Sequence, residues 1–303
     1  MKIENRNHWK RFALISLAIM AIAVVFSITG NGLNLGVDFT GGTLMTYDMG
    51  KPFEVTDIES ALSENGITER QIAKLGSEGT QVQIRISDET NTDDLREAFE
   101  NTLREKYADI AYVDISRVGA IAGGELVSNA IKSMLWAAVL MLIYIAIRFD
   151  FYMGLAAVIG LAHDIAIMLS FTVILHRMIR VETTYIAALL TIVGYSINNT
   201  IIIFDRIREN SHKSALRQLS RGEIVDQSVT ESLSRTLNTS ITTLITIVTL
   251  YILGVDSIRQ FALPLIIGIL SGIYSSNLIN GYVWAALLDY RSAHRKARAK
   301  SKA

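Results

Sequence analysis

The sequence predicts an integral membrane protein: a six-helix transmembrane bundle with a small α+β, ferredoxin-like domain (βαββαβ) inserted after the first helix. Half of the 303 residues are hydrophobic and only 19% are charged, whereas soluble domains carry about 25% charged residues. The charges are also segregated, since residues 31–130 hold 18 acidic and 8 basic residues and the rest of the chain is basic. This composition excludes a soluble enzyme, a disordered chain and a coiled coil.

Six apolar stretches are long enough to cross a hydrocarbon core, which needs roughly 20 residues. The first follows four basic residues, but it is longer than a typical signal sequence and no small-residue cleavage site follows it. We therefore interpret it as an uncleaved span. The predicted spans are 12–30, 131–148, 152–175, 184–205, 236–254 and 261–288. Pro264 is expected in the first turn of the last span, where its missing N–H costs little.

The distribution of Lys and Arg predicts the orientation. Four basic residues lie in the tail 1–11, six in the connector 206–235 and six in the tail 289–303. With six spans, all three segments lie on one side, and the positive-inside rule places that side in the cytoplasm. The acidic module 31–130 is then extracytoplasmic.

Within this module, the apolar pattern predicts strands at 42–48, 69–75, 82–86 and 110–118. A helix is expected to begin with a capping box at Thr56 and to end at Asn65-Gly66. A second helix is expected to begin at a cap formed by Asn91 or Thr92. The resulting order is that of a ferredoxin-like domain, which by itself implies no activity.

One carboxylate lies near the middle of the third span. Asp164 shares a helical face with Ala157 and Gly160, so it is expected to point at a neighbouring helix. A lone carboxyl group in lipid tends towards its neutral form, which suits reversible proton uptake. The alternative is a structural aspartate bonded to a facing polar side chain. His163 lies one position round the helix, and a structural role is favoured for it.

The fourth and fifth spans carry further polar residues. Asn198 and Asn199 could line a hydrated path or bind a cation, and equally could join helices by hydrogen bonds. Arg235 and Thr239 begin a hydroxyl stripe that could conduct protons. Alternatively, the threonines bond to their own helix and Arg235 reaches the lipid headgroups. Asp205 and Arg206, at the cytoplasmic edge, are expected to form a solvated pair.

The sixth span carries small residues at every fourth position, Gly268, Gly272 and Ser276, a pattern typical of close helix packing. The sequence lacks cysteine, a zinc-protease motif, a phosphate-binding loop and a nucleophile elbow. We therefore predict no enzymatic activity, no cofactor, no metal site and no nucleic-acid partner.

Several motifs resemble those of the bacterial SecD/SecF protein-export membrane proteins. The segment after the first span, with Asp38, Gly41 and Gly42, is similar to the family's LD-F-TGG signature. Ala162-His163-Asp164 resembles the family's AHD. The segment 194–210, which includes Asp205-Arg206, resembles GYS-N…DRIREN, and 235–240 resembles RT-x-x-TS. The single outer module and the DRIREN form favour the SecF branch.

This resemblance implies a role in export. SecF proteins pair with SecD in a twelve-span bundle related to the RND transporters, associate with the SecYEG channel and often YajC, and act after SecA. They use the proton-motive force to complete preprotein translocation. The family pattern places Arg235 beside the proton site and matches Asp164 to the family's third-span aspartate. Half of an RND-type small-molecule exporter, and a purely structural scaffold of the channel, are the alternatives.

The sequence departs from the family pattern at one position. Where relatives commonly have Asp directly after the Asn of GYS-x-N, this chain has Asn199. An amide does not release a proton in the physiological range. The resemblance therefore implies that Asp164 and a SecD carboxylate act here, that another ion such as Na⁺ is coupled, or that the drive is weaker.

Overall fold

The computed structural model describes residues 4–67, 70–75, 79–86, 92–118, 120–216 and 218–300. Two compact units are present: a helical unit, Met1–Asn34 with Lys132–Ala303, and an inserted unit, Leu35–Ile131. The helices are α1 (Trp9–Ile28), α2 (Val37–Thr40), α3 (Val55–Glu64), α4 (Thr92–Arg104), α5 (Ala120–Arg148), α6 (Phe151–Ile174), α7 (Thr183–His212), α8 (Arg221–Leu253), α9 (Asp256–Ser275) and α10 (Gly281–Lys300). The strands are β1 (Gly42–Asp48), β2 (Arg70–Leu75), β3 (Gln81–Ile86) and β4 (Ala111–Val118).

The prediction of six apolar spans is confirmed. In the part of the chain that the structure describes, six helical stretches are long and apolar enough to cross a membrane. They are α1, the segment Gly124–Ile145 of α5, α6, α7, α8, and the stretch Ser257–His294, in which a π-helical turn (Ser276–Asn280) joins α9 to α10.

The charge-rich connector 206–235 is largely helical. α7 continues to His212, a short 3₁₀ turn follows, and α8 begins at Arg221. A capping box fixes the start of α8: the Ser220 hydroxyl accepts from the Glu223 N–H, and the Glu223 carboxylate accepts from the Ser220 N–H. Two of the predicted spans are therefore parts of longer helices.

The predicted position of Pro264 in a first turn is wrong. α9 begins at Asp256, so Pro264 lies inside the helix and cannot donate to the carbonyl of Gln260. Ala262 and Leu265 on either side are buried, and the Gln260 side chain accepts from the Arg180 N–H at 2.7 Å and donates to the Met178 carbonyl at 3.2 Å. Packing around Pro264 thus keeps α9 continuous through the proline, although the local sequence favours a helix that begins only a few residues before it.

The inserted unit contains one four-stranded antiparallel sheet with the order β2-β3-β1-β4. Strands and helices follow each other as β1, α3, β2, β3, α4 and β4, which is the element order predicted from the sequence. Alternate residues of β1, Met45 and Tyr47, are buried together with Ile84 of β3. They pack with Phe99 of α4 and Ile58 of α3 in one apolar core.

The start of α3 differs from the prediction. Its N-cap is Glu54, which makes no side-chain capping bond, so Thr56 is not the cap. The neighbouring Asp57 instead accepts from Lys106 Nζ and from the Tyr107 hydroxyl, both at 2.6 Å. These contacts from a distant segment compete with local capping. The helix ends as predicted, with Gly66 at φ 78°, whereas the predicted cap at Asn91 and the first residue of the predicted strand 69–75 lie outside the described residues.

The hydrogen bonds to Asp57 have an electrostatic consequence. The bond from Lys106 and the bond from Tyr107 both favour the ionised carboxyl, so they lower the pKa of Asp57 below its ordinary value. The same contact raises the pKa of Lys106. Because the carboxyl is already ionised in the unfolded chain at neutral pH, this contribution to stability is present above about pH 4 and is lost as the pH falls through the lowered pKa.

Candidate functional site

The carboxylate of Asp164, near the middle of α6, is enclosed by three serine hydroxyls and the imidazole of His163. Its side chain is fully buried. Oδ2 accepts from Ser196 of α7 at 2.5 Å and from Ser275 of α9 at 2.8 Å. Oδ1 accepts from Ser271 of α9 at 2.7 Å and lies 2.9 Å from Nδ1 of His163. A single carboxylate therefore joins three helices through hydrogen bonds.

His163 connects this carboxylate to the first span. Its Nε2 lies 2.7 Å from the hydroxyl of Ser16 on α1. The ring of Tyr274 lies nearly parallel to the imidazole, with centroids 6.3 Å apart, and the Tyr274 hydroxyl donates to the Phe12 carbonyl at 2.9 Å. The polar cluster of Ser16, His163, Asp164, Ser196, Ser271 and Ser275, which we call the Asp164 cluster, thus links α1, α6, α7 and α9.

Small residues allow the helices to approach at this cluster. A Cβ added at Gly272 would lie 3.4 Å from Cα of Ser196 and 3.7 Å from Oδ2 of Asp164. A Cβ at Gly268 would lie 2.4 Å from Cγ1 of Ile192, and the Ser276 hydroxyl donates to the Gly272 carbonyl at 2.6 Å. The predicted small-residue stripe of the sixth span therefore lies against α7.

A second polar layer contains Asn199. Its side chain is fully buried, and its Nδ2 donates to Ser240 of α8 at 3.4 Å, while its Oδ1 has no hydrogen-bond partner. Thr200 accepts from Nδ2 of Asn280 at 2.9 Å, and Oδ1 of Asn280 is also unpartnered. Two buried carbonyl oxygens therefore remain available to a water molecule or another donor. Among the residues that the structure describes, no hydrogen bond joins Asn199 to Asp164.

Asn198, Arg235 and Thr239 lie on exposed surface of α7 and α8. Within the described residues, the guanidinium of Arg235 has no hydrogen-bond or ion-pair partner. The Thr239 hydroxyl donates to the carbonyl of Arg235 at 2.9 Å, four residues earlier, and Thr242, Thr246 and Thr249 make the corresponding bonds along α8. Each threonine is thus satisfied by its own helix, so the stripe offers acceptor oxygens and does not form a continuous chain of hydrogen bonds.

The predicted pair Asp205 and Arg206 lies in a charged region near the end of α7. Asp205 faces Arg148 at 3.4 Å and Arg208 at 3.6 Å, whereas Arg206 bonds to Glu209 and Glu231. The two neighbours therefore do not pair with each other. A cavity of about 710 Å³ is lined by these side chains and by Arg235.

The glycine motif lies in the inserted unit. Asp38 belongs to the short helix α2, and Gly41 and Gly42 follow at φ 72° and 114°. Both values lie in the left-handed region, which favours glycine. Arg85 of β3 holds this segment by donating to the Leu35 carbonyl at 2.6 Å and to the Thr40 hydroxyl. The motif therefore forms the turn that leads into β1.

The structure adds members to the site that sequence reasoning did not select. Ser271 and Ser275 are four residues apart on α9, and this spacing was the available signal. Ser196 lies within the motif segment 194–210 but was not singled out, and a structural role was expected for His163. Ser16 is a single hydroxyl in an apolar span and gave no signal. In the described part of the chain, no group of three or more His, Asp or Glu side chains is placed to hold a metal ion.

These features define a class of protein: a polytopic membrane protein with an ionisable pair buried among its spans. Intramembrane carboxylates and histidines typically mark ion or proton pathways. The chain matches the family model for the C-terminal region of SecD/SecF protein export membrane proteins over residues 98–289, and the SecD/SecF GG motif over 26–52. The chain belongs to the SecD/SecF family.

Individual relatives agree with this assignment. The chain is 38% identical to the protein translocase subunit SecF of Haemophilus influenzae over 87% of this chain and 79% of that protein. It is 34% identical to the SecF subunit of Acidaminococcus fermentans over 93% of this chain and 96% of that protein. The crystal structure of SecDF from Thermus thermophilus matches 97% of this chain with a TM-score of 0.82 and 34% identity. This chain spans 39% of the length of that SecDF chain.

Proposed function

We propose that this chain is a SecF-like subunit of the Sec protein-export machinery, which acts with SecD to couple the proton or another ion motive force to late stages of preprotein translocation through the SecYEG channel. The observation that supports this function is the burial of Asp164 at the junction of α6, α7 and α9. A change in charge there alters hydrogen bonds on three helices at once. The chain performs no catalytic step of its own and needs no cofactor.

The available energy is sufficient for such coupling. One charge moved through 100 mV is worth about 2.3 kcal/mol, which changes a two-state equilibrium by about 50-fold. Because packed helices favour discrete arrangements, a few protons can bias a motion between two states. Asn199 carries no titratable group, so the coupling in this chain depends on Asp164 together with a carboxylate of the partner.

The exposed polar face of α7 and α8 supports a partner within the membrane. Asn198, Arg235 and Thr239 would be costly against lipid tails, whereas a second helical half would satisfy them. We assign that half to SecD, since the protein translocase subunit SecDF of Thermus thermophilus is 38% identical over 96% of this chain, which covers 38% of that longer protein. SecYEG and YajC are further proposed partners, SecA acts indirectly, and an unfolded preprotein is the substrate.

The location follows from the same reasoning. The protein resides in the bacterial cytoplasmic membrane, with both termini and the connector 206–235 in the cytoplasm, because these segments are rich in Lys and Arg. The inserted unit is a ferredoxin-like domain on the extracytoplasmic side. Its βαββαβ order and its sheet order β2-β3-β1-β4 support this assignment.

Pulse-chase export tests the function. Cells depleted of this chain are complemented with the wild type, Asp164→Asn, or the control Asp289→Asn, which changes an exposed aspartate paired with Arg221. We expect the wild type and the control to restore export of a signal-bearing preprotein, and Asp164→Asn to fail although it accumulates. Equal rescue by Asp164→Asn would place the proton chemistry in SecD. Normal export after depletion would refute the function and favour a small-molecule exporter.

A further inference from the structure

We propose that the transferred proton is held by His163, at Nε2, while Asp164 stays ionised and positions the ring. This inference rests on the proposed function, since it names the atom at which the Asp164 cluster takes up its proton. It differs from the sequence-based expectation that His163 has a structural role. The geometry of both ring nitrogens supports it.

The ring's tautomer follows from its neighbours. Nδ1 lies 2.9 Å from Oδ1 of Asp164, and an ionised carboxylate only accepts hydrogen bonds, so Nδ1 carries the hydrogen. In the neutral ring Nε2 is then bare. The hydroxyl of Ser16, 2.7 Å away, donates to it. The neutral pair thus has Nε2 ready to accept a proton.

Proton uptake at Nε2 breaks no hydrogen bond of the carboxylate. The new Nε2–H donates to Ser16 Oγ, and the Ser16 hydroxyl turns to the Phe12 carbonyl, which lies 3.4 Å away. That carbonyl already accepts from Tyr274, and a carbonyl oxygen has two lone pairs. The net charge of the cluster changes from −1 to 0, which is favourable in a medium of low dielectric constant. On release the proton leaves Nε2 and the hydroxyl turns back.

Protonation of Asp164 itself is less favourable on the same geometry. Its two oxygens accept from three serine hydroxyls and from His163, and a carboxylic acid would have to turn one of these donors away. The carboxylate is also fully enclosed, whereas 13% of the His163 side chain remains accessible. The imidazole is therefore the more accessible of the two groups.

In the described part of the chain, no cationic side chain forms a hydrogen bond or ion pair with His163. The groups in contact with its ring are Asp164 on its own helix, Ser16 on α1 and Tyr274 on α9. Of these, Asp164 and Tyr274 are titratable. Ser16 changes from donor to acceptor when the proton binds. The direction of its hydrogen bond with His163, which joins α1 to α6, therefore depends on whether the proton is bound.

Nitrogen-15 NMR of the histidines tests the inference directly. The full chain, labelled at histidine and reconstituted with SecD in bilayers, is measured between about pH 5 and about pH 8. We expect His163 to show a protonated Nδ1 and a bare Nε2 at the alkaline end, and loss of the bare-nitrogen signal at the acidic end. His163→Gln identifies the signal by its disappearance, and Ser16→Ala identifies it by a shift if His163→Gln does not fold. His176→Gln removes the signal of another histidine as a control.

The possible outcomes separate the inference from the proposed function. A neutral ring with a bare Nδ1, or a ring that keeps one protonation state over the whole range, would overturn the assignment to His163. Loss of proton-driven export in His163→Gln, with wild-type export in His176→Gln, would support it. Wild-type export by Asp164→Asn would instead contradict coupling at this cluster, and the NMR titration of His163 remains a separate measurement.

Discussion

Replacing Gly268 by alanine tests the helix packing that forms the site. An added Cβ would lie 2.4 Å from Cγ1 and 2.5 Å from Cδ1 of Ile192, which is fully buried. Overpacking of this kind costs about 1–3 kcal/mol, and the better helix propensity of alanine returns about 0.5–1 kcal/mol. We expect Gly268→Ala to lower the free energy of unfolding by up to about 2.5 kcal/mol, measured by denaturant unfolding of the purified chain in micelles.

Gly194 provides the matched control, because a Cβ there would meet nothing within 4 Å. Gly194→Ala should raise stability by about 0.5–1 kcal/mol, as expected for an open helical position. Ile192→Val removes Cδ1 and should make the loss at Gly268→Ala less than additive in a double-mutant cycle. Equal stability of the two alanine variants, or strict additivity with Ile192→Val, would contradict the packing argument.

Three further predictions concern the polar residues. Asn199→Asp supplies a buried carboxylate. In the Asp164→Asn background it should therefore partly restore export, measured by pulse-chase. No restoration would show that position 199 is not on the proton path. Arg235→Ala should slow export although the protein accumulates. Arg259→Ala, which removes another exposed arginine, should leave the export rate unchanged. Equal rates in the two variants would show that Arg235 takes no part in coupling. Asp57→Asn should speed hydrogen exchange of the sheet amides at neutral pH by a loss of about 1 kcal/mol or less. This difference should shrink as the pH falls below about 4 and vanish below the lowered pKa of Asp57. A difference that persists in acid would show that the hydrogen bonds of Asp57 do not depend on its charge.

Asn199 is the position at which this chain departs from the family pattern. The side chain is buried with an unpartnered Oδ1, so the position keeps a polar group but carries no exchangeable charge. In the described part of the chain, Asn199 makes no hydrogen bond with the Asp164 cluster, whose carboxylate has four hydrogen-bond partners of its own. A chain with this arrangement places its own titratable pair between α1, α6, α7 and α9, apart from the exposed stripe that contains Arg235.

Hydropathy and charge determined the architecture from sequence alone. The six spans and the strands of the inserted unit depend on local periodicity, which a window of residues contains completely. Asp164 could be identified in the same way, because a carboxylate within an apolar segment is unusual whatever that segment packs against. Element boundaries were predicted less well. The position of Pro264 in a first turn and the cap at Thr56 were wrong, because the contacts of Gln260 and those from Lys106 come from distant segments.

Only the tertiary structure decided which polar groups meet. Nothing in the sequence indicates that Ser16 lies beside His163, 147 residues away, or that Ser271 and Ser275 face Asp164 across more than 100 residues. A helix presents polar side chains at any angle around its axis, and only the packing of its neighbours determines which of them become buried together. Local pattern therefore identified the charged group, whereas long-range packing assigned its partners and, through them, the nitrogen that is free to take a proton.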